Sequence, residues 1–300
     1  MAAIPPGGER EGRKTEIMAA AFSMTEPGNQ EAARDFRRTL TITIGGLPVR
    51  FCVPDAAFSS MLAERYASFL HASHPQSSEI EFEVSLVPPG RLPGPAELEV
   101  RWENGVWRMG RGDFRAEFDL AARRGRIALL PNPYAVDALL RIVHSLLLAR
   151  SGGVLLHAAS GILHGRGVVF SGVSGAGKTT IARLAPPHVR LLTDEISYLR
   201  REGPGYRVYG TPFSGELGLR GEDISAPLAA IHLIEHSALN RRDPLSQPEA
   251  VRRLLRNTLF FAHEPELVSG VFSTLCDLTQ RVPVYRLEFA PDARVWELAA

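Results

Sequence analysis

The feature that most constrains this chain is a glycine-rich stretch in its second half, which runs from Gly172 to Thr180. Gly172, Gly177, Lys178 and Thr179 occupy the four fixed places of the pattern G-x-x-x-x-G-K-[ST]. Glycines allow successive backbone N–H groups to turn towards one point, and so they form a nest for an anion that side chains would block. The sequence therefore predicts a loop that binds phosphate groups.

The residue types within the loop predict which phosphates it binds. The Lys178 ammonium is expected at the β- and γ-phosphates of a nucleoside triphosphate, and the Thr179 hydroxyl is expected to bind Mg²⁺. ATP and Mg²⁺ are therefore the predicted ligands. The residues expected to contact the nucleotide are Gly172, Ser174, Gly175, Ala176, Gly177, Lys178, Thr179 and Thr180.

The flanking sequence fits the strand–loop–helix setting that this motif requires. Residues 168–170 form a short apolar run typical of a buried strand, and residues 180–184 begin a helix. The alternative interpretation is a glycine-rich turn that matches the pattern by chance. The strand and helix signals on either side favour the nucleotide site.

Two consecutive acids follow the next apolar run, at residues 189–192. Asp194 and Glu195 thus come directly after a predicted strand and one helix downstream of Lys178. Acids at the C-terminal end of a strand, beside a phosphate loop, are placed to bind Mg²⁺ and to take the proton of an attacking hydroxyl. With Thr179 they are the predicted metal ligands, and which acid is the base stays open.

Composition narrows the class of protein. Of the 300 residues 45% are hydrophobic, which is enough for a buried core, and the net charge is +1. A charge near zero gives no general attraction to nucleic acid or anionic lipid. No apolar run reaches the roughly 18 residues of a membrane span, and the N-terminus lacks the apolar segment of a secretory signal. We expect a cytoplasmic protein without nucleic-acid or membrane partners.

Three regions are predicted along the chain. Residues 1–38 are rich in Gly, Pro, Glu and Ala and are expected to be a disordered leader. Residues 39–133 alternate apolar and polar positions in several short runs, with a helix expected from Ala56 to Leu70. Residues 134–300 are predicted to form the domain that carries the nucleotide site, and this domain begins with an amphipathic helix.

A further helix is predicted from Pro248 to Ala262, with Leu255 among its inward-facing residues. Its other face carries Arg252, Arg253 and Arg256. Such a stripe is either a solvated helix face or a docking surface for an acidic substrate, and the sequence leaves both open.

The order and close spacing of His157, the Gly172–Thr179 loop and the segment 191–195 resemble the catalytic domain of HPr kinase/phosphorylase and its relatives. The short distance from Lys178 to Asp194 is the distinctive part of the resemblance, which covers about half of the chain. It implies an α/β fold. The C-terminal domain would be a P-loop domain like HPr kinase and phosphoenolpyruvate carboxykinase, preceded by a β-rich α+β domain.

The resemblance also implies an activity, which is ATP-dependent transfer of the γ-phosphate to a serine-like hydroxyl. His157 would lie near the transferred phosphate, and the expected catalytic residues are Asp194, Glu195, His157 and Lys178. Glu195 stands where the bacterial regulator has Asp. The acceptor would be a protein, a precursor peptide or a small molecule, and a homo-oligomer is left open. The alternative is a nucleotide-binding regulatory or assembly protein with little or no turnover.

Overall fold

Two β-sheets, one of seven strands and one of nine, carry the fold. The structure is a computed structural model that describes residues 38–71, 80–88, 90, 97–219 and 221–299. The predicted leader lies outside the described residues, except for Arg38, with which the first strand begins. The mixed α/β class agrees with the coarse prediction from sequence.

The first sheet is built by the N-terminal part of the chain, in the order β1-β2-β3-β7-β6-β5-β4. Strands β4 to β7 form an antiparallel meander, and β3 pairs in parallel with both β2 and β7. The strands are β1 (Arg38–Ile44), β2 (Leu47–Val53), β3 (Ile80–Leu86), β4 (Glu99–Glu103), β5 (Val106–Arg111), β6 (Phe114–Asp119) and β7 (Arg124–Leu129).

The helix within this part is shorter than the sequence predicts. Helix α1 spans Ala56–Arg65, and a 3₁₀ turn follows at Ala67–Phe69. The chain leaves the helix at Tyr66, whose hydroxyl donates to the buried carboxylate of Asp137, 2.5 Å away. The residue at which α1 ends thus makes a long-range hydrogen bond, which the local sequence does not reveal.

The second sheet and its helices form the rest of the molecule. The strands are β8 (Gly153–Leu163), β9 (Arg166–Ser171), β10 (Arg190–Thr193), β11 (Ile196–Glu202), β12 (Gly205–Tyr209), β13 (Ser225–His236), β14 (Arg241–Pro244), β15 (Thr258–Leu259) and β16 (Val284–Phe289). The helices are α2 (Pro133–Ser151), α3 (Lys178–Arg183), α4 (Gln247–Asn257), α5 (Pro265–Arg281) and α6 (Val295–Ala299).

Strand β8 is the strand to which the other elements of the site are attached. One of its edges pairs first with β11 and then with β10, and the other edge pairs with β15 and then with β9. All four partners run antiparallel to β8. Strands β9 and β10 therefore run in the same direction, and their C-terminal ends lie at the same level on opposite sides of β8.

The helix predicted from Pro248 to Ala262 is wrong in its second half. Helix α4 ends at Asn257, because Thr258 and Leu259 pair with β8 as the short strand β15. The expectation that Leu255 faces inward is also wrong, since 41% of this residue is exposed, whereas its neighbour Leu254 is buried.

One continuous apolar core joins both sheets, and it includes Ile42 of β1 and Leu155 of β8. Polar contacts also connect the two parts, such as the Arg200 Nη1–H donated to the carbonyl of Gly45 at 2.7 Å. The residues from Thr39 onwards form one compact unit. The division into two separate domains stays a prediction.

Candidate functional site

The glycine-rich loop lies between β9 and α3, so the strand–loop–helix arrangement predicted from the sequence is present. Gly175 and Gly177 have φ angles of +78° and +101°, which favour glycine. A Cβ atom at Gly177 would lie 2.4 Å from the Phe289 ring, so no larger residue fits there. The loop therefore has the bare, turned backbone that a phosphate nest requires.

Lys178 folds back over this loop. Its Nζ donates to the carbonyl oxygens of Gly172 and Val173, at 2.9 and 3.0 Å. Only 7% of the residue is exposed, and burial lowers the pKa of its ammonium group from the usual value. No carboxylate among the described residues pairs with it. A cation held only by carbonyl dipoles can still attract an anion that enters the loop.

His236, at the end of β13, supports the other side of the loop. Its Nε2–H donates to the Gly175 carbonyl at 2.8 Å, and its ring stacks on that of Phe289 with centroids 5.5 Å apart. No local pattern predicts this contact, because the two hydrogen-bonded residues are far apart in the chain.

The short helix after the loop is supported by the C-terminus. Helix α3 has only six residues, and two prolines, Pro186 and Pro187, follow it. Trp296 of α6 donates its indole N–H to the carbonyl of Ile181 at 3.0 Å. The same indole packs edge-on against Phe170 of β9. The strand before the loop and the helix after it are thus held by one side chain.

The predicted acids and the loop flank the same residue of β8. On one edge Ala158 pairs with Ser171, the last residue before the loop. On the other edge the Ala158 N–H donates to the carbonyl of Glu195 at 3.0 Å. Since neighbouring strands lie about 4.8 Å apart, the backbones of Ser171 and Glu195 are separated by about 10 Å. The structure therefore brings the two sequence motifs to one end of the sheet.

Asp194 is the inner acid of the pair, and only 3% of it is exposed. Its carboxylate accepts the backbone N–H groups of Gly215 and Leu217, at 3.1 and 2.9 Å. These donors belong to the loop between β12 and β13. Asp194 thus fixes this loop with two charge-assisted hydrogen bonds. Its predicted role as metal ligand or base stays a prediction.

Glu195 is the accessible acid, with 29% of its side chain exposed. It pairs with Arg141 of α2 through two hydrogen bonds, of 2.9 and 3.3 Å, and this guanidinium lies 5.1 Å from the ring centroid of Phe213. Arg141 was not among the site residues predicted from the sequence. The available signal was a single charge between Leu140 and Ile142, which are both fully buried.

His157 lies half-buried on β8, between these groups. Burial lowers the pKa of its imidazole, and the positive charges of Lys178 and Arg141 lower it further. The ring is therefore neutral near pH 7, with one nitrogen that donates and one that accepts. The predicted role of His157 at the transferred phosphate stays a prediction.

The oxygen atoms at this site suit Mg²⁺ better than a softer metal. Thr179 is half-buried in the first turn of α3, and Glu195 faces the same end of the sheet. No group of three or more His, Cys, Asp or Glu residues within the described part of the chain could hold a metal ion. Mg²⁺ usually binds through one or two protein groups and keeps several waters, so a hydroxyl such as that of Thr179 and a carboxylate are chemically suitable for it. The predicted metal ligands stay a prediction.

Comparison with known protein families gives a match for the second half of the chain. A family described as "SynChlorMet cassette protein ScmC" matches residues 135–299, which is more than half of the sequence. The chain belongs to the ScmC family. The part that matches includes all but the first two residues of α2 and every residue of the candidate site, so the site lies within the region that defines an ScmC protein. No curated protein matches the sequence.

One solved structure similar to this ScmC-family chain is that of the Hpr(Ser) kinase/phosphatase from Coxiella burnetii. The two sequences are 11% identical, and the similarity covers 48% of this chain and 91% of the other, with a TM-score of 0.26. A TM-score this low does not establish a shared fold. Among the residues that the structure describes, no helix has both the length and the apolar content to cross a membrane.

Proposed function

We propose that this ScmC-family protein is an ATP-dependent phosphotransferase that transfers the γ-phosphate to a serine-like hydroxyl on a protein, a peptide or a small molecule. The observation that carries the proposal is that the Gly-Lys-Thr loop and Glu195 lie on opposite sides of Ala158. Nucleotide binding needs only the loop, whereas transfer also needs an accessible acid beside it.

The distribution of basic residues supports a phosphate role for the loop. The chain has 34 lysines and arginines, of which only Lys14 and Lys178 are lysines. Lysine differs from arginine in carrying a compact point charge, which suits contact with a phosphate. A lysine in the loop of a chain that otherwise uses arginine therefore favours a phosphate-binding role. Lys178 is also nearly buried and bound to no acid among the described residues, so its position is hard to explain by solubility or by a surface ion pair.

The residues of the site can be assigned roles in an in-line transfer. The acceptor oxygen forms a bond to the γ-phosphorus while the bond to the β–γ bridging oxygen breaks, and ADP leaves. The hydroxyl proton passes to a carboxylate, for which Glu195 is the accessible candidate and Asp194 the alternative. Lys178 and the loop N–H groups take up the charge on the phosphoryl oxygens. Neutral His157 donates a hydrogen bond to the same phosphoryl oxygens.

Mg²⁺, when bound, would offset the negative charge of the triphosphate. Thr179 and one of the two acids would hold it. If Glu195 takes the proton, the acid at the ion is Asp194, which must first release the N–H groups of Gly215 and Leu217; if Glu195 holds the ion, the proton goes to Asp194.

A second candidate function is a nucleotide-binding regulatory or assembly protein. The observation that favours it is the state of Asp194, whose two oxygens already accept backbone hydrogen bonds deep in the protein. If the carboxylate stays in that position when nucleotide binds, one of the two predicted catalytic acids serves only to fix a loop. Slow or absent turnover would then follow.

The scarcity of lysine permits a direct test of nucleotide binding. An acyl-phosphate derivative of ATP transfers its acyl group to a lysine beside the bound phosphates, and the modified peptide is identified by mass spectrometry. We expect labelling of Lys178 that excess ATP suppresses, with Lys14→Arg as the matched control. Equal labelling with and without excess ATP would reject the nucleotide site.

The same preparation distinguishes an enzyme from a binding protein. The family is described as a cassette protein, so products of the neighbouring genes are the first acceptors to test. Transfer of labelled γ-phosphate to one of them supports the phosphotransferase. Competed labelling of Lys178 without any release of γ-phosphate supports the regulatory protein.

A further inference from the structure

Arg141 is a described residue of the site whose position neither the loop motif nor the pair of acids explains. It lies in the middle of α2, a helix otherwise buried along most of its length, and a quarter of its side chain is exposed. Phe213 packs against one face of the guanidinium, and Glu195 binds its edge. The side chain is therefore held in one orientation at the site.

The guanidinium is not fully used by these contacts. Arginine has five N–H donors, and Glu195 takes one from each of the two terminal nitrogens. The Nε–H is buried and has no hydrogen-bond partner among the described residues. Since buried donors are nearly always paired, the observed arrangement leaves Arg141 able to bind one more acceptor.

The charges around this position do not balance. Arg141 and Lys178 are both cations, and both lie close enough to His157 to lower its pKa. Glu195 pairs with Arg141 alone, and Asp194 is occupied by Gly215 and Leu217, so no carboxylate among the described residues pairs with Lys178. A site with two cations and one available carboxylate is complementary to an added anion.

We propose that Arg141 is a further catalytic residue, which donates hydrogen bonds to the phosphoryl group during transfer while its contact with Glu195 keeps that acid in position. This inference rests on the proposed phosphotransferase function. A planar guanidinium can bind a carboxylate with one edge and a phosphoryl oxygen with its remaining donors. Arg141 would then stabilise the charge that develops on the phosphoryl oxygens, in addition to Lys178.

The test compares a transfer-state analogue with the product nucleotide. ADP with aluminium fluoride and Mg²⁺ imitates the group in transfer, and ADP with Mg²⁺ alone does not. Binding of both is measured by calorimetry on the full-length protein, the Arg141→Gln variant and the Arg141→Lys variant. If Arg141 contacts the phosphoryl group only in the transition state, its replacement weakens binding of the analogue and leaves the affinity for ADP unchanged.

We expect Arg141→Gln to weaken binding of the analogue by about 100-fold or more, the scale on which a transition-state arginine acts, with ADP affinity changed less than about threefold. Arg141→Lys keeps the positive charge and should lose about tenfold. The matched control is Arg150→Gln in the last turn of the same helix, where the exposed arginine makes no ion pair within the described residues. This control should bind both ligands like the wild type.

Two results would overturn the inference. One is unchanged binding of the analogue in both Arg141 variants, and the other is an equal loss for the analogue and for ADP, which would show a merely structural role. If Arg141→Gln does not fold, Arg141→Lys gives the same comparison. A wild-type protein that binds neither ligand contradicts the proposed function itself, whereas wild-type binding that the Arg141 variants retain contradicts only this inference.

Discussion

The carboxylate of Asp194 accepts the backbone N–H of Gly215 at 3.1 Å, and a Cβ atom at Gly215 would lie 2.6 Å from Asp194 Oδ2. The loop that contains Gly215 is thus fitted directly against the acid that follows β10. Any change in the position of this carboxylate must move the loop as well. This coupling gives the first prediction.

Gly215→Ala should force Asp194 or the loop to shift, because the added methyl group overlaps the carboxylate. We expect a loss of about 1–3 kcal/mol in the free energy of unfolding, the range for overpacked sites, together with a lower transfer rate. Gly205→Ala is the matched control, since a Cβ there meets no atom within 4 Å. Urea unfolding of both variants provides the measurement. Equal free energies of unfolding in the two variants would show that the loop shifts to fit the methyl group without loss of stability.

The two acids should respond differently to removal of their charge. Asp194→Asn places an amide where two backbone N–H groups need an acceptor, so the variant should lose both stability and transfer rate. Glu195→Gln should lose transfer rate with little change in stability, because 29% of the Glu195 side chain is exposed and its ion pair is partly solvated. Nucleotide affinity and γ-phosphate transfer are measured on both. Full transfer in both variants would reject the acid mechanism.

The protonation of His157 can be followed directly. Because burial, Lys178 and Arg141 all lower its pKa, its imidazole should titrate below the ordinary value of about 6.5. Lys178→Ala removes one positive neighbour and should raise the pKa of His157. Nuclear magnetic resonance of the nucleotide-free protein measures both values. A midpoint at or above the ordinary value would contradict the arrangement of charges around β8.

Two buried histidines predict how stability depends on pH. Burial lowers the pKa of His144 to about 3; for His232, burial and then the charge of Arg242 lower it to about 3. In the unfolded chain both titrate near 6.5. Between these values the unfolded state binds protons that the folded state does not. The contribution of the two histidines to the free energy of unfolding is therefore complete above pH 6.5. It falls with decreasing pH, by about 1.4 kcal/mol per pH unit for each histidine.

His232→Phe tests this dependence, because a phenyl ring can keep the stacking between Phe170 and Tyr285. Between about pH 4 and 6 we expect the slope of unfolding free energy against pH to decrease by about 1.4 kcal/mol per unit. His263→Phe, which replaces an exposed histidine with the same residue, is the matched control. The same slope in His232→Phe and the wild type would mean that His232 titrates normally in the fold.

The sequence was sufficient to predict those parts of the structure that depend on neighbouring residues in the chain. The strand, the loop and the first turn of α3 follow from consecutive residues whose backbone geometry and periodicity are self-contained. The last strand, Val284–Phe289, was also predictable, because its apolar and polar residues alternate along one short run. The position of Asp194 and Glu195 after an apolar strand indicated where the acids would lie.

Contacts between segments that are far apart in the chain could not be predicted from the sequence. Arg141 and Glu195 are 54 residues apart, and nothing local shows that their side chains meet. Helical periodicity continues past Asn257, yet α4 ends there because the edge of β8 is free to pair with Thr258 and Leu259. Tertiary pairing outweighs local propensity in such places.

The proposed function requires that the Gly172–Thr179 loop binds ATP and that the adjoining residues transfer its γ-phosphate. The most direct measurement follows ADP formation and labelling of acceptors from γ-labelled ATP with Mg²⁺, for the wild type and for Lys178→Ala. We predict transfer by the wild type, with water as a slow acceptor when no better one is present. Lys178→Ala should lose a factor of about 100 or more, equivalent to about 3 kcal/mol, and should remain folded. Equal rates in the two proteins, or ATP bound by the wild type with no release of γ-phosphate, would contradict the account.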